Sequence, residues 1–239
     1  MSPTSEAQAR ILGRVRAGLA RERDDAARAA AVRARLASPP RGVIPARARG
    51  ERPALVERFV ANLEKEFGTV ERLRDAVEVP GRVAAWLAAR NLPARLAAAP
   101  HPELLALPWA DRPALAVRFG RAEADDAASL TACFAAVAET GTLVLASGPD
   151  HPTTLGLLPE AHLVLLRTSR IVGAFEKAWD LLRAERGRTD SSMPAQRRVM
   201  PRAVMLVTGP SRSADIEQTL ELGAHGPRAL HVLLLEDEG

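Results

Sequence analysis

The chain of 239 residues has one cysteine, no tyrosine and an aromatic content of 3%. A single thiol, Cys133, excludes an internal disulfide. It also excludes an iron–sulfur cluster held by this chain alone, because such clusters need several thiolates. No apolar run approaches the ~20 residues that span a bilayer. The first residues lack the apolar core of a secretory signal, so the expected location is the cytoplasm. Neither a Gly-x-x-x-x-Gly-Lys-[Ser/Thr] loop nor a Gly-x-Gly-x-x-Gly turn is present, which removes two common nucleotide-binding devices. His151 and His162 stand at no metal-ligand spacing from Cys133 or from an acidic cluster, so no metal site is expected.

Lysine is scarce too: Lys65 and Lys177 are the only two, and arginine supplies the remaining positive charge. The net charge is +4 and the sequence pI about 10.3, but the excess is local. Residues 1–52 hold 12 Arg against 5 acids, a net of +7, and the remainder holds 21 basic residues against 24 acids, a net of −3. Residues 4–37 read as a helix, with apolar positions at Leu12, Val15 and Leu19 and Ala-rich turns on to Val32 and Leu36. With no aromatic residue interleaved, a nucleic-acid arm is disfavoured against a solvated helix or one that pairs with another protein. Ser38-Pro-Pro-Arg-Gly42 breaks the pattern, and the chain to Arg52 reads as a Pro/Arg-rich linker. This divides the chain into a basic extension over 1–52 and a domain over 53–239. Apolar and charged contents of 47% and 26% suit a soluble globular domain with a full core.

From Pro53 helical and extended patterns alternate. Helices are predicted over Pro53–Phe67, Gly81–Leu92, Asp126–Ala138 and Phe175–Arg186, with a helical turn at Pro102–Leu107. Strands are predicted at Arg95–Ala99, Leu115–Phe119, Thr142–Ala146 and Leu163–Leu166. Residues 147–152 and 187–201 read as loops. Alternation of this kind predicts a three-layer α/β/α domain with a mainly parallel sheet.

The stretch that organises the rest lies near the C-terminus. Ala203–Val207 is a short apolar run between Pro201 and Gly209, which suggests a buried strand. Thr208-Gly-Pro-Ser-Arg212 turns the chain. Ser213 is placed to N-cap a helix from Ala214, with Asp215 and Glu217 at its positive end and Gly223 as its stop. Ala229–Leu235 follows as a second strand. Strand, loop, helix, strand is a βαβ unit, and ligands gather at the carboxyl ends of such strands. The hydroxyls of Ser211 and Ser213, the Arg212 guanidinium and helix-terminal N–H groups together suit a carboxylate or phosphate. A capped turn that satisfies itself is the alternative.

Thr208-Gly-Pro-Ser-Arg-Ser-Ala-Asp-Ile216, with Leu222-Gly-Ala-His-Gly-Pro227 and a terminal apolar strand, resembles the signature of the lactate-utilisation protein C family, the LUD domain. Ala138-Glu-Thr-Gly-Thr-Leu-Val-Leu145 and Leu158-Pro-Glu-Ala-His-Leu163 agree with it in order and spacing. Ser213 stands where the family more often has Thr and keeps the hydroxyl. The resemblance implies a fold like that of the CoA-transferase and ribose-5-phosphate isomerase superfamily, where strand-end carboxylates do chemistry. Glu139 is therefore the candidate base or nucleophile. Thr140, Gly141, Thr142, Thr208, Gly209, Pro210, Ser211, Arg212, Ser213, Asp215 and His225 are the candidate ligand-binding residues. The resemblance further implies a component of bacterial L-lactate oxidation to pyruvate, acting with partner proteins that carry iron–sulfur clusters. Two other readings stand beside it. One is a stand-alone enzyme of acyl or CoA transfer type, although the glycine-rich CoA-binding pattern of that class is absent. The other is a scaffold that recruits a partner through the basic N-terminal helix. No complete catalytic motif is visible in the chain.

Overall fold

The computed structural model describes residues 3–19, 25–185, 200–214 and 220–237. It divides into two compact units, Met1–Val43 and Ile44–Gly239. The first contains α1 (Pro3–Leu19) and α2 (Asp25–Ala37). Helix is present on both sides of residues 20–24, which lie outside the described residues, and Ile11, Leu12 and Val15 of α1 are exposed.

The second unit runs α3 (Arg52–Lys65), β1 (Thr69–Leu73), α4 (Val79–Ala89), β2 (Arg95–Ala98), α5 (Pro102–Leu105), β3 (Ala116–Phe119), β4 (Ala128–Ala132), β5 (Ala135–Val137), β6 (Thr142–Ala146), β7 (Ala161–Arg167), β8 (Ile171–Val172), α6 (Phe175–Glu185), β9 (Val204–Val207), β10 (Arg212–Ala214), β11 (Leu220–Leu222) and β12 (Ala229–Leu235). Six strands form a wholly parallel sheet in the order β1-β12-β7-β4-β2-β3. The fold is α/β with a mainly parallel central sheet, as the alternation predicts.

Layering follows from side-chain parity. Successive residues of a strand face opposite sides, so a strand covered on both faces reads as a continuous apolar run. On β7, Leu163 and Leu165 face α4 and α5, while Val164 and Leu166 face α3. On β12, Leu233 and Leu235 go one way and Val232 and Leu234 the other. A second, mixed sheet, β8-β5-β6-β9, shares the α3 side through Ala136, Leu143 and Leu145. Its outer face, with Ala135, Val137 and Val144, is covered by Ala178 and Leu182 of α6.

Two local expectations are corrected, and one strand lies where the sequence predicts none. Residues 126–138 form β4 and β5 rather than a helix. All five residues of β4 are buried, and an apolar run buried on both faces carries no period that separates strand from helix. Glu139 consequently follows a strand, and Cys133 links β4 to β5. The second correction concerns residues 203–235, which do not form a βαβ unit. β9 pairs antiparallel with β6 in the second sheet, while β12 lies inside the central sheet between β1 and β7. Ser213 does not cap a helix. It lies in β10, opposite Glu221 of β11, and Asp215 lies outside the described residues. The local capping signal yields to cross-strand pairing, which a sequence window does not contain. Finally, β1 is a polar edge strand, Thr-Val-Glu-Arg-Leu, that lacks the apolar run a buried strand displays.

Candidate functional site

The Glu139–Thr142 turn is held from below by α3. Asn62 donates its side-chain amide to the carbonyls of Ala138, at 2.8 Å, and Glu139, at 3.0 Å. Gly141 has φ +68°, and a Cβ there would lie 2.4 Å from the Leu63 backbone nitrogen. Glycine is needed both for the left-handed conformation and for the close approach of the helix. The Glu139 carboxylate accepts from Arg47 Nη2 at 2.7 Å; its side chain is 11% exposed and that of Arg47 68%. Solvent around the arginine limits what this pair contributes to stability. The hydroxyls of Thr140 and Thr142 are 2.7 Å apart, and those of Thr142 and Thr208 likewise 2.7 Å. A run of three hydroxyls thus joins the two motif segments.

The Thr208 loop also rests on α3. Gly209 has φ +83°, and a Cβ there would lie 2.0 Å from the Glu66 carbonyl oxygen. Arg212 places Nη2 2.6 Å from Glu66 Oε2, with its guanidinium 5.3 Å from the centre of the Phe67 ring. The loop is closed by Ser211, whose N–H donates to the Pro227 carbonyl at 2.8 Å and whose carbonyl accepts from Gly223 N–H at 2.9 Å. Thr208, Gly209, Pro210, Ser211 and the exposed His225 line one side of a cavity of about 200 Å³. Among the described residues its lining includes neither Glu139, Thr140, Gly141 and Thr142 nor Arg212 and Ser213. β9 ends where β7 and β12 begin, so this cavity lies at the amino ends of the central strands.

The carboxyl ends gather residues that the motifs do not point to. The chain steps from β2 to β3 on one side, then crosses to β4 on the other. Such a reversal splays the loops beyond the two strands and leaves a crevice at their carboxyl ends. A cavity of about 330 Å³ opens there. His101 and Glu103 follow β2, Cys133 and Phe134 follow β4, and Arg167 and Arg170 close β7 and the turn after it; all six line the cavity, with His151 and Glu185. Arg167 donates from Nε to Glu103 at 2.5 Å, and its Nη1 is 3.7 Å from Asp237. Arg170 forms a two-pronged pair with Glu185, both contacts at 2.7 Å, and its guanidinium is 5.2 Å from the centre of the Phe134 ring. Partial burial works against ionisation of Asp237. Hydrogen bonds from Ser169 and Thr168 outweigh it and hold the carboxyl below the usual range. Burial pushes the Cys133 thiol up to about 12, so at neutral pH it is a thiol and not a thiolate nucleophile.

The signal that finds this second cavity in the sequence is positional. His101, Glu103, Arg167 and Arg170 are polar residues at or within a few positions after the apolar segments of β2 and β7. A helix drawn through 126–138 hides the third strand end, at Cys133. No group of three or more His, Cys, Asp or Glu side chains among the described residues is placed to hold a metal ion. No helix among them is long and apolar enough to cross a membrane.

Comparison with known proteins gives the chain its relatives. It is 41% identical over 100 residues to an uncharacterised protein of Neisseria meningitidis serogroup B, covering 41% of this chain and 38% of that protein. It is 35% identical over 101 residues to the lactate utilization protein C of Bacillus licheniformis and to that of Bacillus subtilis, covering 42% of this chain and 39% of each. These alignments span about two fifths of the length of the curated relatives the chain matches. The crystal structure of a DUF162 family protein from Deinococcus radiodurans has the same fold, with a TM-score of 0.54 at 23% identity over 78% of this chain and 99% of that one. Residues 56–235 match the LUD domain, and the chain belongs to the LUD domain family.

Proposed function

We propose that the chain is a cytoplasmic component of L-lactate utilisation, and that it binds a small carboxylate at the carboxyl ends of the central strands. The names of the Bacillus relatives support the pathway. The observation that carries the ligand class is the pair Arg167 and Arg170, which face one cavity at the switch point between β2 and β4. A guanidinium presents five N–H donors in a fork that matches a carboxylate. Glu103 and Glu185 orient the two forks and balance their charge in the absence of ligand. An arriving carboxylate takes over donors from Glu185 or adds to those that remain. His101 and His151 on the same wall suit the hydroxyl or carbonyl of a 2-hydroxy or 2-oxo acid.

Oxidation of lactate needs an electron acceptor. One neutral thiol does not furnish the ligand set of an iron–sulfur cluster. The clusters therefore belong to partner proteins and substrate handling to this chain. A stand-alone acyl-transfer enzyme draws less support, because Cys133 is protonated and the Glu139 carboxylate is paired with Arg47.

Calorimetric titration of the chain with L-lactate and pyruvate, repeated on Arg170→Met and Arg167→Met, tests the ligand site. Loss of a charged hydrogen-bonding partner should weaken binding by about ten- to a hundredfold. Binding to the parent chain that both variants leave unchanged contradicts the site.

A further inference from the structure

The cavity at the amino ends of the strands has a chemistry opposite to the one at the carboxyl ends. Among the described residues no Lys, Arg, Asp or Glu lines it. Its inner wall carries His162, at the start of β7, with no exposed surface. The ring's Nε2 is 2.9 Å from Thr131 Oγ1, while the buried Nδ1 has no hydrogen-bond partner. Native interiors rarely keep such an orphan without a reason.

The room beside it is made by a glycine that the backbone does not require. Gly156 ends a short helical turn, Thr153–Gly156, and does not adopt the left-handed conformation that favours glycine. A Cβ there would stand 3.4 Å from His162 Cε1, 3.7 Å from Nδ1 and 3.2 Å from Met205 Cε. The missing side chain keeps open the space in front of the imidazole. Burial and the nearby His151 hold His162 uncharged, so among the described residues the wall offers no countercharge to an anion.

We infer that this cavity is a second binding site, for a compact uncharged molecule whose carbonyl or hydroxyl group pairs with His162 Nδ1. Its hydrocarbon body packs on Met205, Leu157 and Leu230. A cavity of ~150 Å³ admits benzene, so the present one suits a molecule of about six to eight heavy atoms. The Thr131 hydroxyl sets the polarity. If it donates to Nε2, Nδ1 carries the proton and takes a carbonyl; if it accepts from Nε2–H, Nδ1 takes a hydroxyl.

The test is a titration of the ¹⁵N-labelled full chain with cyclohexanone, cyclohexanol and cyclohexanecarboxylate, followed at the His162 ring nitrogens and assigned by their loss in His162→Gln. One of the two neutral probes is expected to shift Nδ1 saturably, and the carboxylate to leave it unmoved. Gly156→Ala, which fills the space, should weaken that binding roughly tenfold or more. Leu157→Trp, at the exposed rim, is the second blocking variant and does not disturb the core. No shift of Nδ1 with either neutral probe would overturn the inference. A shift with the carboxylate alone, or full affinity in both blocking variants, would overturn it equally.

Discussion

Burial sets the protonation of two interior histidines. Desolvation, with His151 nearby, lowers His162 from 6.5 to about 3. Desolvation, with Arg90 nearby, lowers His231 to about 4. His231 stacks on Trp86 at 5.1 Å and pairs through Nδ1 with Thr69 Oγ1 at 2.8 Å, so the edge strand β1 is tied to β12 through a neutral ring. In the unfolded chain both rings titrate near their ordinary value. Below that value the unfolded state binds more protons than the folded one. The stability these rings contribute at neutral pH is therefore lost as pH falls from about 6.5 through 4 for His231 and through 3 for His162, with a slope of up to ~1.4 kcal/mol per pH unit for each histidine. Urea unfolding should show a lower midpoint at pH 4.5 than at pH 7, and His231→Gln should reduce that difference. Equal midpoints at the two pH values contradict the assignment. None of this is legible in the sequence, where His162 and His231 are two residues in apolar strands. The motif glycines show the same limit: Gly141 and Gly209 are visible as motif members, but the helix they admit is not.

At the scale of elements, α3 is the piece that both motif segments share. Pro53 and the spacing of Leu55, Phe59, Val60 and Leu63 predict a helix over 53–67, and the helix is Arg52–Lys65. What the pattern does not convey is that its C-terminal turn seats both turns of the candidate motifs: Asn62 and Leu63 under Glu139–Gly141, Glu66 under Gly209 and beside Arg212. Phe59 and Leu63 are fully buried against the central sheet. Phe59→Ala should cost about 3–5 kcal/mol of stability, from lost transfer and an unfilled cavity. Denaturant unfolding checks it, and a loss below ~1 kcal/mol would show that α3 is not anchored as described. The strand and helix assignments fail in the sequence for a related reason. β4 is buried on both faces, so Ala-Ser-Leu-Thr-Ala has no amphipathic period, and β1 is a polar edge that no hydrophobic pattern announces.

Across the whole domain, the parallel sheet has two chemically distinct ends. The carboxyl ends carry charged side chains, Arg167 and Arg170 with their carboxylate partners, and the amino ends carry a partly apolar cavity with no charged lining among the described residues. The sequence motifs mark the second end, and their α/β setting suggests the first. The conflict arises because β9 belongs to the second sheet, so the loop after it falls at the amino ends of the central strands. Which sheet a strand joins depends on partners distant in the chain, and a local pattern does not encode that. The basic stretch over residues 1–52 is likewise plain in composition, and most of it falls in the separate compact unit Met1–Val43. Its part in assembly is tested by deleting residues 1–50: if that stretch recruits a partner, the deletion abolishes complex formation and leaves the LUD domain folded.

The reconstitution that tests the proposed pathway is lactate-dependent dye reduction under anaerobic conditions, with the partner iron–sulfur proteins assayed in the presence and absence of this chain. Omission is expected to abolish L-lactate-dependent reduction; adding the chain back should restore it, and Arg170→Met should restore it poorly. Full activity without the chain would contradict a role in handling lactate.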